Sequence, residues 1–200
     1  MSTESESAPP GPPGVSILTL ASSSPQRKAI LEQLGVSFRV VAPDVEELTE
    51  GDPSSVVVEN AARKARAVEG ERVLGVDTAV VVDERLYGKP AGLDAARKSL
   101  ERLSGRWHEV WSGVVLCERG AERSARARTR VRFRPLVPAD VEWYLATGEW
   151  RGRAGGYAIQ GRGAALVEAI EGDFWNVVGL PVPQLLELAP DLLRPAPVRY

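Results

Sequence analysis

The sequence predicts a mixed α/β domain: a twisted sheet with flanking helices, arranged as two lobes around a cleft. Three observations predict it. From Ile17 to Ser104, short apolar runs alternate with segments that carry helix start and stop residues. The run Val73-Leu74-Gly75-Val76-Asp77-Thr78-Ala79-Val80-Val81-Val82 is apolar on both faces, as a central, covered strand is. From Val110 onward, strand-like runs follow one another across a polar turn, which marks a more antiparallel region.

Each element has a local reason. Ile17-Leu18-Thr19-Leu20 reads as a strand. Ser24 then caps a helix with Pro25 at its first position, where the missing N–H costs nothing. That helix turns Ile30, Leu31 and Leu34 inward and stops at Gly35. Phe38 to Val41 reads as a second strand. Asp52 or Ser54 opens a helix around Pro53 that carries Arg63 and Lys64 and runs to about Glu69, before Gly70. After the central strand comes the loop Gly88-Lys89-Pro90. A helix from Leu93 to Ser104, closed by Gly105, follows it. Val110 to Leu116 and Ala127 to Phe133 are strands joined through Glu118-Arg119-Gly120. Asp140 to Thr147 is a short helix, Tyr157 to Ile159 and Ala165 to Val167 are strands, and Pro183 to Ala189 is the last helix.

The chain has 200 residues, enough for one domain with a substantial core. Segment 1–14, rich in Ser, Glu, Pro and Gly, reads as a disordered tail, 15–190 as the organised body and 191–200 as a loose tail. Lys and Arg total 25 against 27 Asp and Glu, a net charge of −2, unlike the strongly basic balance of nucleic-acid binders. No apolar run approaches the ~20 residues of a membrane span, and the start lacks the basic and apolar regions of a signal peptide. A cytoplasmic location is the default. With one cysteine, Cys117, and one histidine, His108, zinc sites of the Cys/His types are excluded. A nucleophilic triad would have to be built on His108. Carboxylates, Lys, Arg and hydroxyls are left to carry any chemistry.

Several side chains are candidates, each beside a plainer alternative. Ser22 to Arg27 join a strand to a helix N-terminus, where exposed N–H groups, the dipole and Arg27 suit an anion; simple capping is the plainer reading. Asp77 interrupts an apolar strand, and a carboxylate there is costly to bury unless paired, metal-bound or functional. Glu46 and Glu47 follow a short strand and are within reach of the same cleft, or form an exposed acidic loop. Lys89, between Gly88 and Pro90, suits an anionic ligand or a surface turn. Lys64 reads most simply as a solvated helix charge. Gln160 sits among flexible glycines, where its amide can donate and accept at once. The five tryptophans read as core or interface packing. Cys117 reads as inert, His108 falls on a polar stretch, and Arg123 to Arg134 forms a solvated strand face.

Taken in order, several blocks resemble the Maf family of nucleoside triphosphate pyrophosphatases. They are Leu20-Ala21-Ser22-Ser23-Ser24-Pro25-Gln26-Arg27, Gly75-Val76-Asp77-Thr78, Gly88-Lys89-Pro90 and Leu103-Ser104-Gly105-Arg106. Ala154-Gly155-Gly156-Tyr157-Ala158-Ile159-Gln160-Gly161 and Asn176-Val177-Val178-Gly179-Leu180-Pro181 complete the set. The resemblance spans Leu18 to Pro181. It implies an inosine-triphosphatase-like mixed α/β fold, often a homodimer, acting in the cytoplasm; the charge balance and the lack of an apolar span add the expectation of no nucleic-acid or membrane partner. It also implies hydrolysis of a nucleoside triphosphate to the monophosphate and pyrophosphate with a divalent metal, Mg²⁺ or Mn²⁺.

On this resemblance Asp77 is the catalytic proton acceptor, and Glu46 joins it at the metal. Ser22, Arg27, Lys64 and Lys89 bind substrate phosphates, and Gln26, Thr78 and Gln160 set base specificity. The subgroup acting on dTTP and UTP has Thr and Gln where this chain has Thr78 and Gln160. It usually has Arg where this chain has Gln26, and the family commonly has Lys where this chain has Arg153. A house-cleaning pyrophosphatase for pyrimidine triphosphates is therefore the leading expectation. A nucleotide-binding regulator of septum formation, and a pyrophosphatase for other non-canonical or methylated nucleotides, are the alternatives.

Overall fold

A computed structural model describes residues 17–193 of the chain. The predicted tail 1–14 and the last seven residues lie outside them. Thirteen main elements follow in order: β1 (Leu18–Ala21), α1 (Pro25–Gln33), β2 (Phe38–Val41), α2 (Pro53–Arg66), β3 (Arg72–Val82), β4 (Arg85–Tyr87), α3 (Leu93–Leu103), β5 (Trp107–Glu118), β6 (Ala121–Phe133), α4 (Pro138–Thr147), β7 (Val167–Glu171), α5 (Phe174–Val178) and α6 (Val182–Leu188). The strands make one seven-stranded sheet in the order β2-β1-β3-β5-β6-β7, with β4 added to β3. β1 runs parallel to β2 and β3, the direction that helical crossovers impose. The remaining pairings are antiparallel.

β3 organises the molecule. Its side chains alternate between faces, so Leu74, Val76, Val80 and Val82 share one face while Val73, Gly75 and Asp77 share the other. The second face carries α2, which lies almost on the backbone. A Cβ on Gly75 would come within 2.0 Å of the Ala61 carbonyl oxygen, and one on Gly113 within 2.3 Å of that of Val57. On the first face two apolar clusters form side by side. Leu74 and Val76 pack with Ile30 and Leu31 of α1 and Leu185 and Leu188 of α6. Val80 and Val82 pack with Leu100 and Leu103 of α3 and Val141 and Tyr144 of α4. The expected two lobes are thus two halves built on shared strands.

The helix starts follow the sequence. The Ser24 hydroxyl caps α1 by accepting from the Arg27 N–H, and the Asp52 carboxylate caps α2 by accepting from that of Ser55. Other elements differ from the reading. α2 ends at Arg66, where the chain turns to bury Val68, rather than at Glu69. β5 and β6 extend to a two-residue turn at Arg119-Gly120, both in the left-handed region. Tyr157–Ile159 is a buried turn, not a strand. Gly155 and Gly156 at φ 66° and 76° fold the chain there, and the Ala158 N–H donates to the Tyr144 hydroxyl instead of to a neighbouring strand. Residues Arg162–Leu166 form a 3₁₀ turn, and the strand begins only at Val167. His108, on a stretch that reads as polar, is 2% exposed on β5, with Nε2 at 2.8 Å from the Tyr157 hydroxyl. Of the tryptophans only Trp150 is buried; Trp107 and Trp111 lie under the guanidinium groups of Arg130 and Arg128. Asp191, expected in a loose tail, takes a two-point hydrogen bond from Arg72.

Candidate active site

β5 lines one edge of β3 from Arg72 to Val81. Along the other edge, β1 pairs with Val73 to Gly75 and β4 with Val80 to Val82. Between them, from Val76 to Ala79, that edge has no strand partner among the described residues. A cavity of about 300 Å³ opens there. Because the gap exposes both sides of the strand, consecutive residues of opposite orientation, Asp77 and Thr78, both line it. The turn from β1 into α1 closes one side with Ser22 to Arg27, and the tight segment Arg151 to Ala154 faces it.

Arg27 is a tightly held cation of the cavity. It is 9% exposed and held by three elements: Nη1 donates to the Ser22 hydroxyl at 3.0 Å, Nη2 to the Thr78 hydroxyl at 3.2 Å and Nε to the Gly179 carbonyl at 2.9 Å. One N–H on each terminal nitrogen is left over, the pair that grips a phosphate bidentately. Burial lowers its pKa, opposed by the charges of Asp77 and Glu47, and a guanidinium stays protonated all the same.

Asp77 is buried yet fully partnered. Lys64 Nζ donates to its Oδ1 at 2.6 Å and Asn60 Nδ2 to its Oδ2 at 3.1 Å. Asn60 and Lys64 stand one helical turn apart on the face of α2 that meets β3. Lys64 Nζ also touches the Glu47 carboxylate at 2.7 Å. Asn60 clamps the backbone of Leu48, donating to its carbonyl at 3.0 Å and accepting from its N–H at 2.7 Å. Glu47, Lys64, Asp77, Asn60 and Leu48 therefore close a ring that ties the loop before α2 to the strand carboxylate.

The far wall is basic. Lys89 is exposed, and Arg151 stacks on Trp150 at 4.7 Å. Burial lowers the pKa of Arg153, and its Nε has no hydrogen-bond partner among the described residues. Gly155 ties this wall together. Its N–H donates to the Gly88 carbonyl at 3.1 Å, and its carbonyl accepts from the Ser99 hydroxyl at 2.7 Å. Gln160 is exposed at the rim. Its loop is anchored by the Arg162 N–H, which donates to Glu149 Oε2 at 2.8 Å.

The residues predicted from sequence converge here with one exception. Ser22, Gln26, Arg27, Lys64, Asp77, Thr78, Lys89 and Gln160 all line the cavity. Glu46 does not; Glu47 takes its place. The segment is extended, so alternate residues Pro43, Val45 and Glu47 face the cavity, and Glu46 presents only its backbone carbonyl, to Arg63. Sequence reasoning passed over Asn60 and Arg151. The spacing of Asn60 four residues before Lys64 was the available signal; nothing marked Arg151.

The donor set fits a cation held jointly with substrate. Among the described residues no group of three or more His, Cys, Asp or Glu side chains stands ready to hold a metal ion. Asp77 and Glu47, bridged by one ammonium, supply one or two carboxylates. That suits Mg²⁺ or Mn²⁺, which takes further oxygens from phosphates and water. Five cations against two carboxylates give the cavity a net positive lining suited to a polyanion.

Comparison with known proteins gives one consistent result. The profile of the family described as Maf-like protein matches residues 17–192. The chain is 47% identical over 177 residues to a dTTP/UTP pyrophosphatase of Symbiobacterium thermophilum, covering 86% of this chain and 91% of that protein. It is 45% identical to proteins of the same name from Gloeobacter violaceus, over 88% of this chain and 96% of that one, and from Thermus thermophilus, over 86% and 92%.

Proposed function

The chain belongs to the Maf-like protein family, and from that membership we propose that it hydrolyses nucleoside triphosphates, dTTP and UTP first among them, to the monophosphate and pyrophosphate. The observation that carries the reading is a carboxylate, Asp77, set in a gap of the sheet edge opposite a fixed guanidinium and three further cations. The relatives' shared name supports the choice of nucleotide.

The triphosphate fills the basic cavity. Arg27 grips phosphate oxygens with its two spare N–H groups, while Lys89, Arg151 and Arg153 neutralise the rest. Lys64 and Asn60 each occupy one lone pair of the Asp77 carboxylate, and each oxygen keeps another. Through one of these Asp77 accepts a proton from a water that attacks the α-phosphorus. The bond from the α-phosphorus to its bridging oxygen breaks, and pyrophosphate leaves into the field of the cations. Asp77 and Glu47 are the residues that would hold a divalent cation, which when bound neutralises phosphate oxygens. Gln160 presents an amide that complements the imide edge of thymine or uracil. Gln26, whose side-chain oxygen accepts from Ser24 at 3.1 Å, offers its NH₂ as donor. Removal of unwanted nucleotides in the cytoplasm is the role such a reaction serves.

A panel of nucleotides with Mg²⁺ or Mn²⁺ tests this. The expected products from dTTP and UTP are the monophosphate and pyrophosphate. Release of orthophosphate alone, or no turnover, overturns it. Asp77→Asn should lose at least ~100-fold in kcat while its far-UV circular dichroism is unchanged.

A further inference from the structure

We propose that Asn60 is a positioning residue for the carboxylate pair: one side-chain amide grips both Asp77 and the backbone beside Glu47, so that the two carboxylates meet a divalent cation in a single fixed arrangement. The proposal rests on the pyrophosphatase reading above and concerns how its cation site is held together.

Residues 42–50 carry Glu47 past the cavity without regular structure, and among the described residues they make no backbone–backbone hydrogen bond. Side chains of α2 hold them instead. Arg63 donates to the Glu46 carbonyl at 3.1 Å, in an exposed position. Lys64 reaches the Glu47 carboxylate at 2.7 Å, but an arriving dication competes with that ammonium for the same oxygens. Asn60 holds Leu48, the next residue, at both of its backbone polar groups. Its amide is neutral and does not compete with a cation.

The orientation of that amide is settled by its partners. The Leu48 N–H can only donate, so the Asn60 oxygen faces it at 2.7 Å. The nitrogen then faces two acceptors, the Leu48 carbonyl at 3.0 Å and Asp77 Oδ2 at 3.1 Å. Reversing the amide would set donor against donor and acceptor against acceptor at all three contacts. Asn60 is 2% exposed, and both of its N–H groups are spent, so it has none to offer a substrate. It acts through its neighbours. It fixes the backbone from which Glu47 extends relative to the carboxylate of Asp77.

The test uses Mn²⁺ itself as the probe. Its binding to the unaltered protein, Asn60→Leu and Asn60→Ala is measured by electron paramagnetic resonance without nucleotide. Hydrogen exchange is followed along the chain, and KM and kcat are measured for dTTP and UTP. Asn60→Leu keeps the volume of the buried side chain and removes its three bonds. Mn²⁺ affinity should fall at least ~10-fold in both variants. kcat should fall by a similar factor while KM stays within about threefold, because Arg27, Lys89, Arg151 and Arg153 are untouched. Exchange should quicken over residues 42–50 and stay slow in β3. Where fast exchange reaches β3 in Asn60→Leu, that variant has lost its fold and Asn60→Ala decides. Mn²⁺ affinity unchanged by the substitutions overturns the proposal, whether or not melting temperature falls, and leaves the pyrophosphatase reading standing if dTTP is still hydrolysed. Absence of Mn²⁺ binding to the unaltered protein overturns it as well. Mn²⁺ binding that weakens as expected, in a protein that hydrolyses neither nucleotide, upholds the positioning role and removes the pyrophosphatase reading instead.

Discussion

Burying one ionisable side chain without an ionic partner ties His108 to the stability of the whole domain. Burial pushes its pKa from 6.5 down to about 4. Between those values the unfolded chain binds a proton that the folded chain refuses. Stability is therefore intact above pH 6.5 and falls as the pH drops toward 4, by up to ~3 kcal/mol. Urea unfolding at a series of pH values should show that slope, and His108→Phe, which keeps the ring packing against Phe133, should flatten it. At this scale the sequence was a good guide where chemistry contradicted its surroundings. A carboxylate inside an apolar strand had to have partners, and Asp77 has Lys64 and Asn60. It was a poor guide where two equivalent residues stood side by side. Glu46 and Glu47 differ only in which way an extended segment points them, and nothing local sets that. His108 misled for the same reason, since its polar neighbours Arg106 and Glu109 are only half-buried beside it.

Among the elements, α2 fixes the site because it can approach the sheet so closely. Two glycines, Gly75 and Gly113, let its backbone rest on β3 and β5, and this brings Asn60 and Lys64 within hydrogen-bonding distance of Asp77. Gly75→Ala should push the helix outward, because the new methyl would meet the Ala61 carbonyl at 2.0 Å. The expected cost is about 3 kcal/mol of unfolding free energy in urea, with a large fall in turnover as the Lys64–Asp77 contact lengthens. Elements with caps, breakers and periodic apolar residues, α1 and α3 among them, could be read from the sequence. β4 could not, because its turn uses Asp83 and Glu84 at φ 50° and 61° in place of the glycine or asparagine that advertises such turns. The apolar triplet Tyr157–Ile159 showed the opposite failure, since a buried turn and a short strand share one composition.

Over the whole molecule, charge is separated rather than balanced. The chain carries a net charge of −2, yet the cavity collects Arg27, Lys64, Lys89, Arg151 and Arg153 against Glu47 and Asp77. A triphosphate is thus drawn to a positive focus on a protein that is acidic overall. kcat/KM for a nucleotide should therefore fall several-fold between ~20 and ~200 mM salt, with kcat less affected, as stopped-flow or steady-state kinetics would register. The break in the edge of β3 has a consequence of another kind. Unpaired strand edges invite other chains to add on, and long exposed ones are aggregation hazards. Here the open stretch, Val76 to Ala79, is stoppered by β1 at one end and β4 at the other. Closed at both ends, it admits a small molecule and leaves a foreign strand no room to extend along the edge, so a long and largely buried strand meets solvent without seeding precipitation.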